Sequence, residues 1–452
     1  MMKRTAFLLA ATLVPMTAMA DTLDLEIMPQ PHLTKPAGEI KSSVVLISDA
    51  AGWGANEDAM AAKLADNGAI VIGIDFPAYL KAFSTYADDC IYTISDVEYA
   101  TQQIERDFGV ATYQKPIIAG IGEGGALAIA MASQTPPATV RATIAVDPLE
   151  GIPNTEKEFC TPANKQVKGD RKVYAMTEGA LPDPMTTLFT AKADAAGRAS
   201  VEALKKTWPD IEIKDSSKDA ATTLTDALIT LSNTPLSDDG TLGLPLTVLQ
   251  AKPSLDTMAV IFSGDGGWRD IDAEIGEEMQ KSGIPVVGVD SLRYFWSKQS
   301  QEQVARDLSR IISHYRGQFG VKKVMLIGYS FGADILPDAY QRLPQSQKET
   351  VALISLLAMS GEADYEISVM SIMGANDLTD GIPNHDVIAK IDPKKLQCLY
   401  GSEEEGDACP KLAPLGIETI SLNGGHHFDE DYPALAKRLI ASLKEHLGKA
   451  GP

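Results

Sequence analysis

Gly328-Tyr329-Ser330-Phe331-Gly332 follows the apolar run Val324-Met325-Leu326-Ile327 and precedes the helix-like Ala333-Asp334-Ile335-Leu336. This is the strand–turn–helix setting in which G-x-S-x-G forms a nucleophile elbow. Glycines two residues to either side let backbones pass close, and the sharp turn thrusts the serine Oγ clear of the sheet. A lone G-x-S-x-G also describes an ordinary turn, so the reading depends on what accompanies it.

Downstream lies Gly424-Gly425-His426-His427-Phe428, with an acidic loop in between. Nucleophile, acid and base thus stand in the chain order of α/β-hydrolases. Ser330 is the expected nucleophile. Its hydroxyl is too weak at neutral pH without an adjacent base, and His426 is favoured for that role over His427 because it directly follows the glycine turn. The acid must fix the imidazole tautomer from a neighbouring loop. The strand-like segment 396–400 leads into Gly401-Ser402-Glu403-Glu404-Glu405-Gly406-Asp407-Ala408-Cys409. Glu404 and Asp407 lead the candidates there, with Glu405 behind and Asp377, in Gly374-Ala375-Asn376-Asp377, ranked lower.

An oxyanion hole needs backbone N–H groups aimed at developing negative charge. One is expected from Phe331, and another from Gly264-Asp265-Gly266-Gly267-Trp268, at Asp265 or Gly266. Asp265 and Asp334 are also candidate counter-charges for a substrate ammonium, and Asp334 alternatively complements the helix N-terminus after the elbow. Trp268 and Arg293 are expected to line the substrate site. In Arg293-Tyr294-Phe295-Trp296 the arginine could clamp a phosphate and the aromatics could bury acyl or glycerol groups, or the segment is a packed surface loop.

The chain states its plan twice. Val44-Val45-Leu46-Ile47 leading to Gly52-Trp53 matches Ala259-Val260-Ile261-Phe262 leading to Gly267-Trp268. Ile72-Gly73-Ile74-Asp75 matches Val287-Gly288-Val289-Asp290, with both the tryptophans and the aspartates 215 residues apart. Continuous apolar strands alternating with amphipathic helices predict mostly parallel sheets with helices on both faces. The expected fold class is therefore α/β, with two tandem α/β-hydrolase-like domains. Aligning Gly120-Ile121-Gly122-Glu123-Gly124 on the elbow puts Gly122 where Ser330 stands, and the first half's one histidine, His32, lies ahead of its first core strand. That half is expected to be catalytically degenerate. The expected divisions are a signal peptide over 1–20, a first domain over 21–232, a linker over 233–244 and a catalytic domain over 245–452.

The first twenty residues carry Lys3-Arg4, an apolar run and Ala18-Met19-Ala20, the pattern of a cleavable secretory signal, which predicts a periplasmic or extracellular protein. Four cysteines in such a compartment are expected to be oxidised. Three pairings are possible, and bridges within each half would be Cys90–Cys160 and Cys398–Cys409. No C-x-x-C or His/Cys cluster suggests a metal, and the chemistry calls for no cofactor. A formal charge of −21, or −23 without Lys3 and Arg4, argues against direct nucleic-acid binding.

With these motifs in view, the chain resembles the VirJ/AcvB family of bacterial periplasmic virulence proteins. The resemblance rests on Gly264-Asp265-Gly266-Gly267-Trp268, Ser291-Leu292-Arg293-Tyr294-Phe295-Trp296-Ser297-Lys298, the elbow through Asp334 with Leu336-Pro337, and Gly425-His426-His427-Phe428. The short VirJ form corresponds to the second half alone, and the two-half length is similar to AcvB. The resemblance implies hydrolysis of lysyl-phosphatidylglycerol to lysine and phosphatidylglycerol. It also implies transient contact with a membrane surface and support for type IV secretion. The alternatives are a non-catalytic periplasmic adaptor for exported virulence factors and a secreted esterase of other specificity.

Overall fold

The computed structural model describes residues 23, 25–160, 163–176, 181–234, 242–367 and 381–449. The signal-peptide segment, most of the expected linker and Asp377 lie outside them.

The first half is built on a seven-stranded sheet. Its strands are β1 (His32–Thr34), β2 (Ser42–Ile47), β3 (Ala69–Ile74), β4 (Ile117–Ile121), β5 (Ala142–Val146), β6 (Met185–Phe189) and β7 (Glu212–Asp215), in the order β1-β3-β2-β4-β5-β6-β7. Strand β1 runs antiparallel to β3, and the other pairings are parallel. The second half repeats this order. Strands β8 (Leu246–Leu249), β9 (Thr257–Phe262), β10 (Val286–Val289), β11 (Lys323–Tyr329), β12 (Val351–Leu357), β13 (Leu396–Gly401) and β14 (Glu418–Leu422) run β8-β10-β9-β11-β12-β13-β14. Here β8 is the antiparallel strand. The strand order and the antiparallel lead strand are those of an α/β-hydrolase sheet, present twice.

Central strands read as unbroken apolar runs because both sheet faces are covered. All six residues of β2, β3 and β9 are buried, as a parallel sheet between helical layers requires. The repeated Trp and Gly have one physical cause in both halves. The Trp53 ring lies against Gly73, where a Cβ would come within 2.1 Å of it, and Trp268 lies against Gly288 at the same distance. The repeated aspartates are helix N-caps: Asp75 accepts from Ala78 N at 2.8 Å and Asp290 from Arg293 N at 3.1 Å.

The halves are joined by packing as well as by the chain. Tyr113 of the first half is buried in the main apolar cluster of the second. Its ring centroid lies 5.2 Å from that of Trp296. The Trp296 indole donates to Val110 O at 2.9 Å, and Arg106 of helix α1 (Ile94–Asp107) lies 3.9 Å over its ring. Each half also closes one disulfide, Cys90–Cys160 and Cys398–Cys409.

Candidate active site

The elbow forms where β11 turns into helix α2 (Phe331–Gln341). Ser330 adopts φ 48°, ψ −115°, a region costly for a residue with a side chain. Two glycines make the turn possible. A Cβ on Gly328 would come within 2.4 Å of Gly332 O, and one on Gly332 within 2.2 Å of Phe262 O. Phe331 N–H is the first of the helix and has no intrahelical acceptor, and it directly follows Ser330 in the chain.

Three predicted residues are brought into one line. His426 Nε2 lies 3.0 Å from Ser330 Oγ, and His426 Nδ1 lies 2.5 Å from Glu404 Oε1. Glu404 is held by its loop: Ser402 N donates to Leu422 O, Glu403 N to Gly424 O and Glu404 N to Gly401 O. The Cys398–Cys409 disulfide closes the far side of that loop.

Asp407, the other leading acid, faces elsewhere. Its Oδ1 accepts from Cys409 N at 2.6 Å, and burial, with help from the Glu404 charge, pushes its carboxyl up to about 6. Glu405 shows no bond to either histidine. His427 is exposed, with Nδ1 3.2 Å from Tyr329 Oη, so of the two histidines only His426 reaches the serine. The Tyr329 hydroxyl also donates to His426 O at 3.3 Å and steadies the histidine turn.

The 264–269 loop lies across from the elbow. Gly264 N donates to Asp272 Oδ2 at 3.2 Å; Asp272 is fully buried, and burial raises its carboxyl well above the usual range. Helix α3 (Asp270–Lys281) thus ties down the start of the loop. Asp265 is half-buried; burial raises its carboxyl, and the nearby His426 pulls it back. Its carboxyl therefore lies close enough to His426 to interact with that ring.

Three expected substrate-binding side chains have other occupations. Trp268 packs on Gly288 in the core beneath the site. Trp53 does the same in a half whose elbow carries Gly122 in place of a serine and whose one histidine, His32, stacks on the Trp53 ring at 4.8 Å, so the repeated tryptophan is architectural. Asp334 is buried, with Oδ2 accepting from Ser360 Oγ at 2.7 Å and Oδ1 from Gly361 N at 2.8 Å. Burial pushes it up to about 7. It clamps the loop after β12, whose Met359 O in turn accepts from Ala408 N at 2.8 Å, so the clamp backs the acid loop. Arg293 is buried and lines a polar cavity of about 560 Å³ between the halves with Arg141, Lys41 and Glu39. None of Ser330, His426 and Glu404 lines that cavity. Phe295, two residues on, packs edge-on against Phe331 at 4.9 Å.

The matching place in the first half is closed by its own side chains. Gly122 takes φ 57°, ψ −115°, nearly the Ser330 geometry. Asp49 Oδ1 accepts from Glu123 N at 2.9 Å and lies 2.5 Å from where a Gly122 Cβ would stand. A carboxylate therefore occupies both the serine's space and the oxyanion donor. Arg171 forks onto Glu123, at 3.0 and 2.5 Å, and seals it.

Sequence reasoning passed over Asp272, Tyr329 and the first-half residues that reach the 264–269 loop. A buried aspartate carries no motif, and contacts between halves leave no local pattern.

Residues 256–447 match the family model described as bacterial virulence protein (VirJ). No curated protein sequence matches the chain significantly. Among solved structures, the chain is similar to Est1E from Butyrivibrio proteoclasticus with ferulic acid bound, at 10% identity and TM-score 0.32, over 46% of this chain and 97% of that one. It is also similar to XC6422 from Xanthomonas campestris, described as an α/β serine hydrolase without lid, at 17% identity and TM-score 0.32, over 47% and 94%. A third is an arylesterase, at 16% identity and TM-score 0.33, over 47% and 82%. Over residues 256–447 the second half of this chain is thus similar to the VirJ family of bacterial virulence proteins.

Proposed function

We propose that the second half is a periplasmic serine hydrolase that cleaves the aminoacyl ester of lysyl-phosphatidylglycerol, releasing lysine and phosphatidylglycerol. The observation that carries the hydrolase reading is the unbroken line Ser330–His426–Glu404, at 3.0 and 2.5 Å. Ser330 Oγ attacks the ester carbonyl while His426 Nε2 takes its proton, and Glu404 holds the resulting imidazolium. The carbonyl oxygen, now an oxyanion, turns toward Phe331 N–H and the 264–267 backbone. His426 returns the proton to the departing glycerol oxygen, leaving a lysyl-enzyme. Water, deprotonated by His426, then attacks that ester, and lysine leaves as Ser330 regains its proton.

The half-buried carboxyl of Asp265, beside His426, supports a substrate that brings positive charge into the site. A lysyl ester brings two ammonium groups, and a lysylated leaflet is less anionic than its parent, so it repels this acidic protein less. The virulence and type IV secretion roles would follow from the state of that membrane. The experiment is release of lysine from lysyl-phosphatidylglycerol in mixed micelles by the mature chain and by Ser330→Ala. Release by wild type alone supports both substrate and nucleophile. Release by neither, with a short aryl ester still cleaved, would redirect the reading to another ester. Release by both would remove Ser330 from the chemistry.

A further inference from the structure

The residue at the end of the oxyanion loop, Arg269, turns toward the other half of the molecule. Its Nη1 donates to Glu98 Oε1 of helix α1 at 2.7 Å and to Thr139 Oγ1 at 3.3 Å. Both ion-pair partners are largely buried, at 24% and 16% exposed. The guanidinium also lies flat against the loop it follows: a Cβ on Gly266 would meet Arg269 Nε and Nη2 at 3.2 Å. Arg269 N donates to Gly267 O at 3.0 Å, which folds the loop back on itself. At the loop's other flank, Lys115 of the first half pairs with buried Asp290 at 3.8 Å. The Asp290 carboxylate lies 2.9 Å from where a Gly267 Cβ would stand.

The internal repeat shows that this arginine is not part of the shared architecture. Position 269 corresponds to Gly54, since the flanking Trp53 and Trp268 align, and the first-half loop is built without a cation there. The arginine has been added where the loop meets the other half, and the other half supplies a carboxylate and a hydroxyl to receive it.

We propose that the catalytically degenerate first half positions the active site of the second, with Glu98 and Thr139 gripping Arg269 so that Arg269 fixes the oxyanion loop. This rests on Ser330 being the nucleophile. Glu98, Thr139 and Arg269 are positioning residues and touch no reacting atom. The physical reason is that backbone donors stabilise an oxyanion only when held in place before the reaction, and a glycine-rich loop cannot hold itself. A grip from outside the domain supplies the constraint, and the chain gains a reason to keep a half that has no nucleophile.

The test uses the full mature chain with Glu98→Gln, which keeps shape and removes charge, and Arg269→Gln. Hydrogen exchange of the 264–268 amides reads the grip directly and needs no turnover. Hydrolysis of p-nitrophenyl acetate reads its consequence. Faster exchange in that segment, with kcat lower by about tenfold and KM within about twofold, is expected for each variant. The double variant should lose no more than either single one, because the two residues act as one unit. Unchanged exchange or unchanged kcat in Glu98→Gln overturns the proposal, as do additive losses in the double variant. If wild type hydrolyses nothing, the nucleophile reading fails, and the exchange data still decide whether the first half holds the loop. If Glu98→Gln does not fold, Glu98→Asp takes its place, with the same exchange signature and a smaller loss of kcat.

Discussion

Ser330 holds a backbone conformation that a side chain resists, and Gly122 shows the same turn relieved of it. Replacing Ser330 with glycine should abolish turnover by about a millionfold while stabilising the fold by about 1 kcal/mol, the released strain outweighing the added flexibility of the unfolded chain. Denaturant midpoints of the two proteins check the second part. The two acids should separate as cleanly. Glu404→Gln is expected to lower kcat by about 10⁴-fold, because the imidazole loses the partner that fixes its tautomer. Asp407→Asn should cost less than about tenfold. Equal losses would mean that Asp407, not only Glu404, orients the base. Asp334 carries a pH signature. Its folded carboxyl is raised to about 7, above the ordinary value of about 3.9, so the native state holds a proton that the unfolded chain releases first. The contribution of Asp334 to stability is therefore largest at the acid end and falls as pH rises from about 4 to about 7. Asp334→Asn should flatten that fall in a series of thermal melts.

At the level of elements, the site depends on how loops are closed. Disulfide Cys398–Cys409 ties the middle of β13 to the far end of the loop bearing Glu404. Replacing both cysteines by serine should cost about 3 kcal/mol from the freed loop. It should also lower kcat, since a loosened carboxylate orients the imidazole poorly; a stability loss with unchanged kcat would show that β13 and the histidine turn hold Glu404 unaided. The parallel strands were legible in the sequence as continuous apolar runs, and the elbow as glycines at fixed spacing. Choosing between Glu404 and Asp407 was not, because both sit in one acidic loop and only the loop's path decides which carboxylate reaches the histidine. Trp268 misled for a related reason: a tryptophan in a glycine-rich loop beside a site reads as a ligand platform until its ring is seen lying on Gly288.

Across the whole molecule, the two halves share apolar surface as well as sequence plan. Tyr113 belongs to the core of the half it is not part of. The two-half chain is accordingly expected to unfold in one cooperative transition, and Tyr113→Ala to destabilise it by about 3 to 5 kcal/mol. Two separated transitions in the wild-type calorimetric trace would mean that the interface contributes little.

The sequence by itself determined the twofold α/β plan, the elbow serine, the pair of histidines downstream of the acidic loop and the glycine that stands at the first half's elbow in place of a serine. Each of these is written locally, in strand-length apolar runs or in residues a few positions apart. Tertiary structure alone decided which acid faces His426, that Asp49 fills the empty elbow of the first half, and that Glu98 reaches Arg269 across the interface. Those contacts join residues far apart in the chain, and their distances depend on how loops and halves pack together, which no local pattern records.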